Sequence, residues 1–321
     1  MRDKLLSLAS RAYMRVSRKP RITVVTLHQV GPSANIKPKY VERCFKFLKH
    51  HFRLVLPSEL GFVKHDRQTA VVTIDDGHAD AYEYIFPIAK VIGVPMSLCI
   101  PTGFFFRNQW LWFDKVTWAM HRAKSTAMVC GFRVDPNDSN SFTKLRQHLK
   151  RCPPALRDEV IHELIRSLDL APPSSPPEEY RALTESEMRE MLSTGLVEIV
   201  GHTVTHTIAT VLSEKDLENE LRESRREWES FCGRPIISFC YPNGNPGDFN
   251  QRTAAAVERA GYRYAFTQLE GTNLVRTMDP FELKRVHIHW RPGVCDKVMS
   301  GLVDLQNLLH HPVSRDQQCH E

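Results

Sequence analysis

Short apolar runs alternate with helix-period segments along most of the chain. Runs rich in Val and Ile at 22–27 (ITVVTL), 70–74 (AVVTI) and 96–100 (MSLCI) are separated by helical patterns near 38–50 and 80–92. The alternation resumes with VEIV (197–200), a strongly charged helix near 213–231, IISFCY (236–241), a helix near 250–260, YAFTQ (264–268) and LKRVHI (283–288). Such repeated strand and helix units predict a parallel α/β architecture. The stretch 104–182 interrupts this rhythm. It holds the aromatic cluster FFFRNQWLWFDKVTW, helical segments and the turn-rich loop APPSSPPEEY, and reads as a helical insertion on the scaffold. Trp110, Trp112 and Trp118 within it could wall a ligand site, but an aromatic cluster more often builds a core.

Composition narrows the class. With 321 residues, 42% hydrophobic and 25% charged, the chain is that of a soluble enzyme-sized protein. No window approaches the roughly 18 to 20 apolar residues of a membrane span, and the N-terminus lacks the apolar stretch of a secretory signal. The expectation is a cytoplasmic protein. Its eight cysteines are scattered without a CxxC pair, which suits reduced thiols better than disulfides or a zinc-thiolate site.

The formal charge of +6 resides entirely in residues 1–21, where seven Lys and Arg face Asp3 alone. Helical spacing there gathers Leu5, Leu6, Leu8, Ala9, Ala12, Tyr13 and Val16 in one sector, flanked by Lys4, Arg11, Arg15 and Arg18. Two readings stand: an interfacial helix touching an anionic membrane, or a terminal helix capping the fold with a solvated basic side. No recognition motif accompanies the charge, so nucleic acid is not an expected partner.

Candidate chemistry sits at predicted strand ends, where loops vary while the sheet stays rigid. TIDDGHAD (73–80) places Asp75 and Asp76 side by side after an apolar run, with Gly77 free to turn sharply. GHTVTH (201–206) follows the strand at 197–200. Its His202 and His206 converge on one face of a helix or across a turn. Two imidazoles and one carboxylate form a three-ligand set that leaves a divalent metal an open position for water, and a second carboxylate can take that water's proton. Each motif alone also occurs in ordinary turns and surfaces; their joint presence in one α/β chain is the stronger signal.

Here the sequence resembles the polysaccharide deacetylases of carbohydrate esterase family four, which share the nodulation-deacetylase homology domain. TIDDG matches the family's T-F-D-D-G motif, HTVTH its H-[S/T]-x-x-H motif, and FCYPNG (239–244) stands at its third, proline-containing motif. The resemblance spans about 22–290, apart from the insertion, leaving 1–21 as a basic amphipathic helix and 291–321 as a C-terminal helix and tail. It implies a distorted (β/α)7-type barrel. Carried over by position, it implies Asp75 as general base, Asp76, His202 and His206 as ligands of a divalent metal, usually zinc, and the Tyr241 backbone N–H as a donor to the oxyanion.

Many members open the third motif with an arginine that orients the base, but here that stretch is Ser238-Phe239-Cys240. Either Arg285 reaches Asp75 from another strand or the base is tuned differently. The general acid is expected to be His28, at the end of the first strand as in the exopolysaccharide branch, with His287 or His289 the alternatives. Asn243 and Asp248 are substrate-binding candidates, though Asp248 also suits a helix cap. The implied activity is metal-dependent removal of an N-acetyl group from an amino sugar of a polysaccharide or lipid-linked glycan precursor, with residues 1–20 touching the inner face of the cytoplasmic membrane. A deformylase or another non-peptide amide hydrolase, and a glycan-binding protein with a decayed site, are the rival readings.

Overall fold

The computed structural model describes residues 2–16, 20–32, 34–63, 68–289 and 292–302. Seven parallel strands form its centre: β1 (Arg21–Leu27), β2 (Thr69–Asp75), β3 (Met96–Ile100), β4 (Val197–Gly201), β5 (Ser238–Cys240), β6 (Tyr264–Glu270) and β7 (Leu283–His287). They neighbour one another in chain order, and β7 returns to pair with β1, so the sheet closes into the expected (β/α)7 barrel. Two-residue strands at Arg53–Leu54 and Asn273–Leu274 extend β2 and β1.

The strands read as continuous apolar runs because both faces are covered; every residue of β1 and β2 is buried. Alternate residues still divide by face. Ile22, Val24, Val71, Cys99, Val200, Cys240, Phe266 and Leu283 fill the barrel interior. Val25, Leu27, Ala70, Val72 and Ile74 instead pack outward beneath helices such as α1 of the barrel wall (Pro38–His51), which contributes Phe45 and Leu48. Continuing the inward register toward the carboxyl ends replaces apolar side chains with Thr26, Thr73, Asp75 and Arg285, all buried. The barrel is thus an apolar plug with a polar, charged mouth. β5 is shorter than the 236–241 run, which Pro235 and Pro242 bracket.

The helix expected near 80–92 begins as a π-turn, Ala81–Ile85, before regular α2 (Phe86–Ile92). Such turns recur beside functional sites, and this one follows the Asp75–Asp76 turn directly.

The insertion packs around its own core, which includes Trp110, Trp112, Trp118, Val160 and Leu164. It comprises α3 (Trp112–Arg122), α4 (Ser139–Arg151) and α5 (Pro154–Ser167). It is not wholly helical: Ala127–Val129 and Phe132–Val134 form a hairpin, which Gly131 turns at a φ of 79°. Its exit is stitched to the turn after β2, with Leu183 N–H donating to Gly77 O and Ala79 N–H to Arg181 O. α6 (Glu214–Cys232) and α7 (Gln251–Arg259) complete the barrel wall.

At the chain's start, the helix Arg2–Val16 packs on Pro292–Met299, with Ser7 Oγ donating to Asp296 and Ser10 buried. The tail at 303–321 lies outside the described residues.

Candidate active site

The DDG turn follows β2 at the barrel mouth. Asp75 ends the strand pointing inward, and Asp76 then adopts a φ of 72°, followed by Gly77 at 84°. A Cβ at Gly77 would lie 2.6 Å from Ile100, so both backbone conformation and space require glycine there. His202 and His206 converge through a turn, in which Thr203 and His206 also take positive φ, 62° and 55°. Three strained non-glycine residues in two short loops mark a site held by its surroundings. α6 supplies part of the bracing: Glu220 accepts from the N–H groups of Val204 and Thr205 at 2.7 and 3.0 Å.

Asp76, His202 and His206 bring ligand atoms within 4.8 Å of one another, all buried. His206 Nε2 is 3.2 Å and His202 Nε2 3.8 Å from Asp76 Oδ1. The His202 Nδ1 hydrogen bonds to Cys240 O at 2.7 Å, which fixes the tautomer and turns Nε2, buried without a partner, into the cluster. An orphaned imidazole nitrogen beside a carboxylate and a second imidazole fits a divalent cation. A second trio, Asp75, His202 and Cys240, is equally compact, but Asp75 is already committed elsewhere.

Arg285 reaches Asp75 across the barrel: Nη1 and Nη2 donate to Oδ1 and Oδ2 at 2.8 Å each. Its Nε donates to Thr267 O at 2.6 Å, and Nη1 also faces the hydroxyls of Thr26 and Thr73. A register shift between β6 and β7 at Leu283–Arg285 accompanies this reach. Burial pushes the Asp75 carboxyl up, but Arg285 and His28 outweigh it and hold it down at about 2. His28 Nε2 is 3.5 Å from Asp75 Oδ2, and the Gln268 amide lies 3.4 Å from each. His287 stands beside His28, ring centroids 6.0 Å apart. Burial, then the neighbouring His28 and Arg285 charges, push His287 down to about 4. His289 lies beyond the end of β7 and does not line the cavity.

Two expectations at the third motif need correction. The Tyr241 N–H is not available to an oxyanion, because it donates to Phe266 O at 3.0 Å as the ladder between β5 and β6 continues. Its ring is fully buried against Phe239 and Phe249. Asn243, two residues on, faces the cavity together with Asn245 of the same loop, and the Asn243 Nδ2 is buried with no partner. Asp248 is off the cavity wall and does not cap α7, a role taken by Asn250; it accepts from Asn245 N–H and so shapes the loop.

These groups open into a cavity of about 710 Å³. Its far wall comes from the insertion: Trp112, Phe113, Asp114, Thr117, Arg146 and Tyr180. Phe113 packs edge-on against His206, centroids 5.0 Å apart. Trp110 and Trp118 are buried in the insertion's core, so only Trp112 of the three candidates lines the cavity. His78, next after the DDG turn, pairs with Asp114 at 2.7 Å, both buried. Burial opposes charge on His78, but Asp114 prevails and raises it to about 9. His78, Asp114, Arg146 and Gln268 were not singled out in the sequence. The one available signal was the histidine adjoining DDG.

Known proteins resemble the chain in sequence and in fold. A family model for polysaccharide deacetylase matches residues 63–265. The Bacillus subtilis (strain 168) protein YxkH, which carries a polysaccharide deacetylase designation, is 25% identical over 301 residues, covering 91% of this chain and 80% of YxkH. Among solved structures, the Streptococcus pyogenes deacetylase PplD in complex with acetate superposes with a TM-score of 0.58 at 15% identity, covering 89% of this chain and 98% of PplD. IcaB from Ammonifex degensii gives 0.58 at 15% identity, with 88% and 98% covered. The BpsB deacetylase domain from Bordetella bronchiseptica gives 0.52 at 15%, with 84% and 96% covered.

Proposed function

Because the chain belongs to the polysaccharide deacetylase family, hydrolases of non-peptide amide bonds, we propose that it removes N-acetyl groups from an amino sugar in a metal-dependent reaction. The substrate is a polysaccharide or a lipid-linked glycan precursor. The observation that carries this reading is the paired arrangement of Asp75, clamped by Arg285, beside the buried Asp76, His202 and His206 cluster.

Asp76, His202 and His206 would hold the metal, zinc being the default for such a donor set. When bound, a divalent cation would acidify water and polarise the amide carbonyl. Asp75, ionised at working pH, accepts the proton of the attacking water; Arg285 keeps it charged and aimed. The Asn243 amide, an orphaned donor in the cavity wall, supports the developing oxyanion. As the carbon–nitrogen bond breaks, His28 gives a proton to the leaving amine, and acetate departs. His287 is a poorer acid, since a group held down at about 4 carries no spare proton near neutrality. The bidentate Arg285 contact puts a guanidinium on the base although the third motif lacks one, which supports a competent site over a decayed one.

The test is acetate release from N-acetylated amino-sugar oligomers and lipid-linked N-acetyl sugars. Chelation should abolish release, zinc should restore it, and His202→Ala should lower both metal content and turnover by about 10²-fold or more. Formate release from N-formyl sugars with none from acetylated ones would instead favour the deformylase reading.

We also propose a peripheral contact with the inner face of the cytoplasmic membrane. No described helix is long and apolar enough to cross a membrane. The first helix, however, docks through Leu6, Ser7 and Ser10 while Leu5 and Leu8 stay 59% and 63% exposed beside Lys4. Leu5→Glu with Leu8→Glu is expected to reduce flotation with anionic liposomes severalfold; equal flotation of variant and parent would refute the contact.

A further inference from the structure

Arg146 projects from α4 of the insertion into the wall of the catalytic cavity. It is half-buried, and among the described residues it makes no hydrogen bond and no ion pair; its one recorded contact is the Phe142 ring, 5.5 Å from the guanidinium. Asp114 is the carboxylate whose charge acts on it, and Asp114 is already bound to His78 at 2.7 Å. One helical turn on, Lys150 is half-buried too, but it is off the cavity wall and has the Asp248 carboxylate acting on it. The other arginines near the site are accounted for: Arg285 by Asp75, and Arg157 by the Trp112 ring and Thr207.

A guanidinium withdrawn from water loses solvation that the fold normally returns through a carboxylate. Here the group facing it is the open cavity. A guanidinium also presents a planar fork that matches the paired oxygens of phosphate or carboxylate. Resting on the deacetylase reading above, we propose that the substrate is an N-acetylated amino sugar bearing an anionic group, a phosphoryl ester or a carboxylate, which Arg146 binds at the cavity wall. The insertion then selects the substrate, while the barrel supplies the hydrolytic groups.

The experiment compares kcat/KM of the zinc-loaded full chain for a neutral N-acetylglucosamine oligomer, for N-acetylglucosamine 1-phosphate and for N-acetylmuramic acid. A charge-assisted contact predicts preference for an anionic sugar of about tenfold or more. Which of the two is preferred identifies phosphoryl or carboxylate. Arg146→Gln should bring the ratio near one, Arg146→Lys should keep part of it, and Arg151→Gln, on the exposed side of the same helix, should leave the ratio as it was. A wild-type ratio near one for both anionic sugars, or a proportional loss on neutral and anionic sugars in Arg146→Gln, overturns the proposal. If no sugar releases acetate, the deacetylase reading fails, and calorimetric binding of N-acetylglucosamine 1-phosphate decides: binding lost in Arg146→Gln upholds the anion site, and binding indifferent to Arg146 overturns it.

Discussion

Asp75→Asn is expected to lower kcat/KM by about 10³-fold, because an amide of the same shape cannot accept the proton of water. It is also expected to cost stability. Arg285 would keep its buried position without the carboxylate that both of its Nη atoms reach at 2.8 Å, and breaking one side of a buried ion pair typically costs about 3 to 5 kcal/mol. Thermal denaturation separates the two effects: assays well below the variant's midpoint should still show the full rate loss. If turnover persists within about tenfold of wild type, Asp75 is not the base. The pH dependence has a definite sign. The Asp75 carboxyl sits at about 2, below its ordinary 3.8, so its contribution to stability is complete above about pH 4 and is lost as pH falls toward 2. Its ionisation therefore does not limit activity anywhere near neutrality.

The second large effect should follow from Asp114→Ala. That change strands His78 at 5% exposure, and about 3 kcal/mol of stability should go with the broken pair. Since pairing raises His78 to about 9 from an ordinary 6.5, the contribution is complete below about pH 6.5 and fades as pH rises through 9. Urea unfolding at pH 6 and pH 9.5 checks this: the gap between wild type and variant should be wide at the lower pH and narrow at the higher. A gap that does not change with pH would mean an uncharged histidine making an ordinary hydrogen bond. Catalysis should weaken too, because this pair fixes α3, and with it Phe113 against His206.

What the sequence made legible and what it hid follow from how local each interaction is. Asp75 and Asp76, or His202 and His206, lie close in the chain, so one strand end and one turn bring them into view. The parallel α/β architecture was legible for a related reason, since strands buried on both faces read as unbroken apolar runs; closure into a barrel came only with the family resemblance. Arg285 could be suspected because the third motif lacks the family's arginine, but its reach depends on a shift between β6 and β7 that no periodicity records. Tyr241 was misjudged because the fate of its N–H depends on how far pairing with Phe266 continues. Asp114 and Arg146 were invisible for a different reason. Which face of an insertion helix meets the barrel is decided by packing at Trp112 and Trp118, and α3 and α4 carry no spacing that announces it.

Arg285 also ties the closure of the barrel to the charge of its base. Its guanidinium gathers acceptors from β1, β2 and β6, yet it arrives on β7, more than two hundred residues after Asp75 in the chain. In the closed barrel burial alone would favour the protonated acid at Asp75, and the guanidinium that the last strand supplies, with His28 beside it, keeps the carboxylate charged. The charge of the base is thus a property of the closed barrel and not of its motif alone: β2 brings the carboxylate and β7 the opposing charge.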